Sequence, residues 1–140
     1  MRYGAGILPV CPPTGRALVL LRSEEVDHPL TWAGAGGGDE PIDGNDPLAT
    51  AAREFIEETD RTPSIYIAPL ASVRGPNGGF FLFISIENEE FVPVLNFENA
   101  AYAWLNYDEL MDLPEKHPVF AAMLANETVQ DVLFDILTTL

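Results

Sequence analysis

Three consecutive glycines, Gly36-Gly37-Gly38, stand ahead of a helix whose two ends are both written in the sequence, and this pairing constrains the chain more than any other feature. A glycine run loses backbone entropy on folding and has no side chain to pack, so it marks a place where something must approach the backbone closely. After an acidic loop, Asp46 is a good helix N-cap and Pro47 suits the first helical position. Pro63 cannot continue a helix and biases Thr62 away from helical angles, so the helix should end near Asp60. Leu48, Ala51, Ala52 and Phe55 fall at i, i+3, i+4 and i+7 and predict one buried apolar stripe.

The carboxylates of this helix are expected on a different face. Glu54, Glu57 and Glu58 fall at i, i+3 and i+4, with Arg53 four residues before Glu57 and placed to brace it. Two carboxylates about 4 Å apart repel by about 4 kcal/mol at an effective dielectric near 20. A solvated helix has no reason to concentrate that cost, and a hard cation removes it. The all-oxygen ligand set points to Mg²⁺ or Mn²⁺, and neither His28 nor His117 lies near enough in sequence to suggest zinc. A calcium loop over Asp39 to Thr50 is excluded, because Pro41 sits where an oxygen ligand is needed and Thr50 replaces the closing Glu.

The rest of the chain reads as strands around helices. Residues 3 to 10 and 16 to 22 predict two strands about a Cys-Pro-Pro-Thr-Gly turn, the second buried on both faces. Ser64 to Arg74 and Phe80 to Glu87 predict a hairpin about Gly75-Pro76-Asn77-Gly78, and Tyr102 to Leu105 a further short strand. Asp108 to Leu113 suits a short helix, and Val129, Val132, Leu133, Ile136, Leu137 and Leu140 repeat at helical spacing. That last stripe suits packing on the chain's own sheet; a homodimer contact is the other use of such a face. With 140 residues, no repeat and no linker, residues 1–140 are expected to form a single domain.

Composition narrows the partners. The chain carries 22 acidic against 7 basic residues, a formal charge of −15. Nucleic acid and acidic membranes are bound through clustered Lys and Arg, so neither is an expected partner. A small phosphate ligand would need divalent cations to supply most of the positive charge. A lone cysteine, Cys11, the absence of an apolar run of about 20 residues and an N-terminus unlike a secretory signal fit a cytoplasmic setting.

The stretch from Gly37 through Asp60, with Arg53-Glu54-Phe55-Ile56-Glu57-Glu58 at its heart and Trp32-x-Gly34-x-Gly36-Gly37-Gly38 before it, resembles the Nudix hydrolase signature. The flanking strands and Tyr102-Ala103-Trp104 are similar to the family's pattern as well. The sequence departs from it in three ways. Asn45 stands where the family usually has Glu, eight residues before the box arginine. One more residue than usual separates the glycines from the helix, which leaves Asp43 or Asp46 to substitute for that acidic group. Asp60 stands where a glycine usually closes the helix.

The resemblance implies an α/β/α sandwich with a mixed sheet. It also implies a Mg²⁺-dependent pyrophosphohydrolase that cleaves a nucleoside diphosphate linked to another moiety by water attack on phosphorus. Glu54, Glu57 and Glu58 would hold metal, and Glu54, or Glu98 from a later loop, would serve as base, with Glu87, Glu89 and Glu90 as competitors. Gly37 and Gly38 would approach phosphate oxygens, and Arg22 and Arg74 are the cations best placed to touch them. Phe80, Phe81 and Tyr66 suit stacking on a base, although phenylalanines of an apolar strand are usually core. Pro76 stands near the place of a proline common in relatives acting on ADP-ribose. A nucleoside triphosphate sanitising hydrolase is the alternative within the class, and a Nudix-like nucleotide- or partner-binding module the alternative outside it.

Overall fold

The computed structural model describes residues 2–75 and 78–139. Strand β1 (Tyr3–Cys11) is the middle of the molecule, because it is covered on both faces. Ala5 and Ile7 point to one side, Leu8 and Val10 to the other, and all four are fully buried. Such a strand reads as a continuous apolar run rather than an alternating one. β1 pairs with β2 (Arg16–Arg22) at their shared turn, and with β6 (Gly78–Ile86) in parallel from Tyr3 to Val10. β6 pairs in antiparallel fashion with β5 (Ile67–Gly75), which makes one edge. β2 pairs with β3 (Trp32–Ala33) and with β7 (Asn99–Leu105). The glycine run lies in β4 (Ala35–Gly38), antiparallel to β1 with Gly4 opposite Gly38 and Gly6 opposite Gly36.

Helix α1 (Pro47–Thr59) packs on one face of this mixed sheet, where Phe55 and Ala51 meet Ala5, Ile7, Leu18, Leu20 and Phe91. Asp46 caps it through Leu48 N, and Asp60 closes it in the left-handed conformation, φ 56, with its amide on Ile56 O. That conformation costs a non-glycine residue about 1–2 kcal/mol, least for Asn and Asp. On the opposite face lie α2 (Tyr107–Met111), α3 (Pro118–Leu124) and α4 (Glu127–Thr138). Val129, Leu133 and Leu137 of α4 are buried in the chain's own core, each worth about 1.5–3 kcal/mol of burial. The sandwich expected from the sequence is the observed one.

Several expectations need correction. The buried face of α1 is Thr50, Ala51, Glu54, Phe55, Glu58 and Thr59, whereas Leu48 is 40% exposed. The helix is rotated so that two glutamates, not leucine, face the sheet. β5 begins at Ile67 rather than Ser64, with Ile65 and Tyr66 exposed before it. α2 ends at Met111, and α3 has no counterpart in the sequence reading. The turn residues Pro76 and Asn77, and Leu140 of the last stripe, lie outside the described residues. No helix among the described residues is long and apolar enough to cross a membrane.

Candidate active site

The loop between β4 and α1 is built to hold Arg53. Its 3-10 turn, Pro41–Asp43, ends on Gly44 and Asn45, both in the left-handed region at φ 64 and φ 59. Asn tolerates that region better than most side chains, so Asn45 stays exposed as a turn residue. Asp43 instead turns inward and is buried. Its two oxygens accept from Arg53 Nε at 2.9 Å and Nη2 at 3.0 Å, a bidentate pair. Further bonds from the Glu40 amide and Thr50 Oγ1 complete it. The Arg53 pairing, aided by those bonds, holds the Asp43 carboxyl well below the usual range against the opposing effect of burial. Of the two acidic residues left open by the sequence, Asp43 takes the arginine and Asp46 caps the helix.

Arg53 in turn ties the box together. Its Nη1 reaches Glu54 Oε1 at 3.1 Å and Glu57 Oε1 at 3.2 Å, and its Nη2 donates to the Gly38 carbonyl at 2.9 Å. The bracing of Glu57 is thus as expected, but Glu54 and Gly38 share it. Glu57 is the exposed member of the three glutamates.

Glu54 and Glu58 lie at the seam between α1 and β4. The glycine run makes that seam possible: a Cβ on Gly37 would sit 2.6 Å from the Glu54 carboxyl carbon. Burial first, then the Glu57 charge, pushes Glu54 up to about 7. Burial pushes Glu58 up to about 8, against the Asn99 hydrogen bond and with the Glu54 and Glu98 charges adding to it. Glu58 Oε1 accepts from Asn99 Nδ2 at 2.9 Å, while its Oε2 is buried with no partner among the described residues. An orphaned carboxylate oxygen beside a second carboxylate of raised pKa suits a divalent cation, so the donor set fits the metal that the box implies. Among the described residues no three such side chains are already gathered into a closed cluster, and Arg53 holds two of the glutamates.

Glu98 stands at the same place. It is half-buried and lies close enough for its charge to raise both Glu54 and Glu58, and the residue after it is Asn99. Glu90 is tied to Arg16, and Glu87 is buried at the far end of β6 beyond Ile86.

The other side of the glycine run opens on a cavity of about 490 Å³ between the sheet and α3. Gly4, Gly6, Gly34, Gly36 and Gly38 leave its floor without side chains, and Phe80, Val119, Phe120 and Met123 give it an apolar wall. Phe80 is therefore a cavity residue, whereas Phe81 packs edge-on against Tyr3 and Tyr66 is 65% exposed. Arg22 lines the cavity, held by Asp27 through Nη2 to Oδ1 and Nε to the carbonyl. Arg74 is exposed and does not line it. Arg2 does, beside Gly38 and paired with Asp39. Arg2, Asn99 and His117 are the site residues to which the sequence reading gave no role, and Asp43 is one of the two acidic residues it left open.

Comparisons with known proteins give the chain's family and the likeness of its fold. Residues 1–126 match the model of the NUDIX domain family. Among curated protein sequences none matches significantly. The chain is similar in fold to a Nudix hydrolase from M. smegmatis, RenU, at 23% identity and TM-score 0.73, covering 96% of this chain and 86% of that one. It is similar to the NUDIX domain of Shewanella oneidensis NrtR, solved with ADP ribose, at 15% identity and TM-score 0.72, covering 94% and 87%. It is also similar to the MutT protein of Methanosarcina mazei Go1, at 19% identity and TM-score 0.71, covering 93% and 94%. A glycine strand, an acidic loop and a helix carrying Arg53, Glu54, Glu57 and Glu58 follow one another here in the order of the signature, and with the family model matched over residues 1–126 the chain belongs to the Nudix family of hydrolases acting on phosphoric anhydrides.

Proposed function

We propose that this protein is a divalent-cation-dependent pyrophosphohydrolase that cleaves a nucleoside diphosphate linked to another moiety, with compounds like ADP-ribose as the first substrate class. The observation that carries the reading is the seam itself: two buried glutamates of raised pKa, one with an unpartnered oxygen, back onto the strand whose other face floors the cavity. A cation held by Glu54, Glu57 and Glu58 would supply positive charge for phosphate oxygens and acidify a bound water. The chain's own residues do the rest. Glu54, or Glu98 beside it, takes the proton of the attacking water. The water oxygen bonds to phosphorus, the bridging P–O bond breaks, and the leaving phosphate keeps its electron pair. Arg2 and Arg22 stand at the cavity for the anionic end of the substrate, and the NrtR domain bound to ADP ribose supports that class.

A second reading, a domain that binds a nucleotide or partner without turnover, is favoured by one observation: Arg53 already engages both Glu54 and Glu57. A panel decides between them. The protein is incubated with Mg²⁺ and ADP-ribose, dinucleoside polyphosphates, NADH and normal and oxidised nucleoside triphosphates, beside a Glu57→Gln, Glu58→Gln variant. Turnover lost in the variant supports the hydrolase, and a triphosphate as best substrate moves it to the sanitising class. Nucleotide binding without turnover supports the binding module.

A further inference from the structure

The cavity wall opposite the glycine floor carries a side chain whose neutral tautomer is set by the fold. His117 is the residue before Pro118 and caps α3: its Nδ1 accepts from the Val119 amide at 3.1 Å. A ring nitrogen that accepts cannot carry the proton, so the neutral ring has its hydrogen on Nε2. Nε2 has no hydrogen-bond partner among the described residues, and His117 lines the cavity. Burial, then the neighbouring His28 and Arg22, keep the ring neutral further into the acid range than an ordinary histidine.

The wall around it is pinned rather than loose. The His117 ring stands against His28 at 4.5 Å between centroids, His28 Nδ1 meets Asp27 Oδ2 at 3.3 Å, and Asp27 holds Arg22. The backbone is anchored by Leu30 N on Arg22 O, Trp32 N on Glu115 O and His117 N on Trp32 O. His28, Leu30 and Glu115 all lie in the left-handed region, at φ 47, 55 and 54. Non-glycine residues kept there are strained, and such strain gathers at ligand clamps.

We infer that His117 is a specificity-determining residue: its Nε2–H is a fixed donor that selects a flat heterocycle bearing an acceptor, the base of a nucleotide, in the cavity between Phe80, Phe120 and the glycine floor. The inference rests on the reading of this cavity as the substrate pocket, and it is tested by binding, which needs no turnover. A fixed neutral donor distinguishes ligands by whether an acceptor meets it, because a mismatched ligand leaves the donor buried and unpaired. Phe80 and Phe120 add sequence-tolerant contact with the ring.

Two substitutions separate the donor from the cap. Asn at position 117 can still accept from the Val119 amide but does not reach as far as Nε2; Gln carries its amide nitrogen to about that place and is the poorer cap. Affinities of AMP, GMP, CMP and UMP, and of ribose 5-phosphate as the ligand without a base, are measured by calorimetry, with thermal melting alongside. In the intact protein at least one nucleotide binds more tightly than ribose 5-phosphate. His117→Asn loses about three- to tenfold of that advantage while ribose 5-phosphate is unchanged and the melting temperature holds. His117→Gln retains the advantage and melts lower. The inference is overturned if His117→Asn leaves the nucleotide advantage intact, if it weakens ribose 5-phosphate equally, or if the intact protein binds all five ligands alike. Failure of the hydrolase reading alone shows as absent turnover with these binding differences preserved.

Discussion

Gly37→Ala tests the seam on which the site is built. The glycine is in an ordinary strand conformation, so alanine is not strained there; what it meets is Glu54, with the new Cβ 2.6 Å from the carboxyl carbon. Carbon atoms pack at about 3.5–4.0 Å, so the carboxylate or the helix must give by about 1 Å. α1 is anchored by Phe55 and by Arg53, which makes the side chain the part that moves. Overpacking of this kind costs about 1–3 kcal/mol, and at about 2–4 °C per kcal/mol in a chain of this size the melting temperature should drop by roughly 2–12 °C. A misplacement of about 1 Å in a reacting group lowers turnover about a hundredfold. Gly38→Ala is the control for stability: its Cβ would meet nothing nearer than Arg2 Nη2 at 3.8 Å, so melting should shift by less than about 0.5 kcal/mol equivalent. Thermal melting and turnover of the best substrate read both effects. Equal melting of the two variants, or full turnover in Gly37→Ala, would refute the argument that the glycine run makes room for Glu54.

Four further outcomes follow from the same geometry. Without metal, the protein should lose stability as pH rises from about 5 to about 9. Glu58 and Glu54 bind protons more tightly folded than unfolded, so their contribution is complete below the ordinary carboxylate range and lost as pH passes about 7 to 8. Glu58→Gln should flatten that slope in thermal melts. Asp43→Asn should lower turnover at least tenfold by releasing Arg53, whereas Asn45→Glu, which restores the family's residue at φ 59, should bring no gain and a slightly lower melting temperature. Arg22→Ala should raise KM several-fold, because Arg22 lines the cavity and holds Asp27, while Arg74→Ala should leave KM unchanged.

What the sequence made legible was mostly local. Asp46, Pro47, Asp60 and Pro63 bound α1 through capping and backbone sterics that act within a few residues, and β1 and β2 announced themselves as unbroken apolar runs. The rotation of α1 was not legible, because helical periodicity sorts residues by hydropathy and cannot register that a glycine strand leaves room for buried glutamates. Asp43 lies ten residues before the arginine it holds, across a loop whose path depends on Gly44 and Asn45 in left-handed conformations. α3 escaped because Pro118 to Leu124 is apolar nearly all round and shows no face. His117 reaches the wall that Arg22 shares through its backbone bond to Trp32 and through the His28 ring and Asp27, which no spacing rule records.

The most direct measurement is hydrolysis of the best substrate in ¹⁸O-water as a function of Mg²⁺, in the intact protein and in Glu58→Gln. A site built on Glu58 should show saturable dependence on Mg²⁺, ¹⁸O on one phosphate product, and a loss of at least a hundredfold when the orphaned oxygen of Glu58 is replaced by an amide. Turnover that is independent of Mg²⁺, that places no ¹⁸O on phosphorus, or that survives in Glu58→Gln would contradict it.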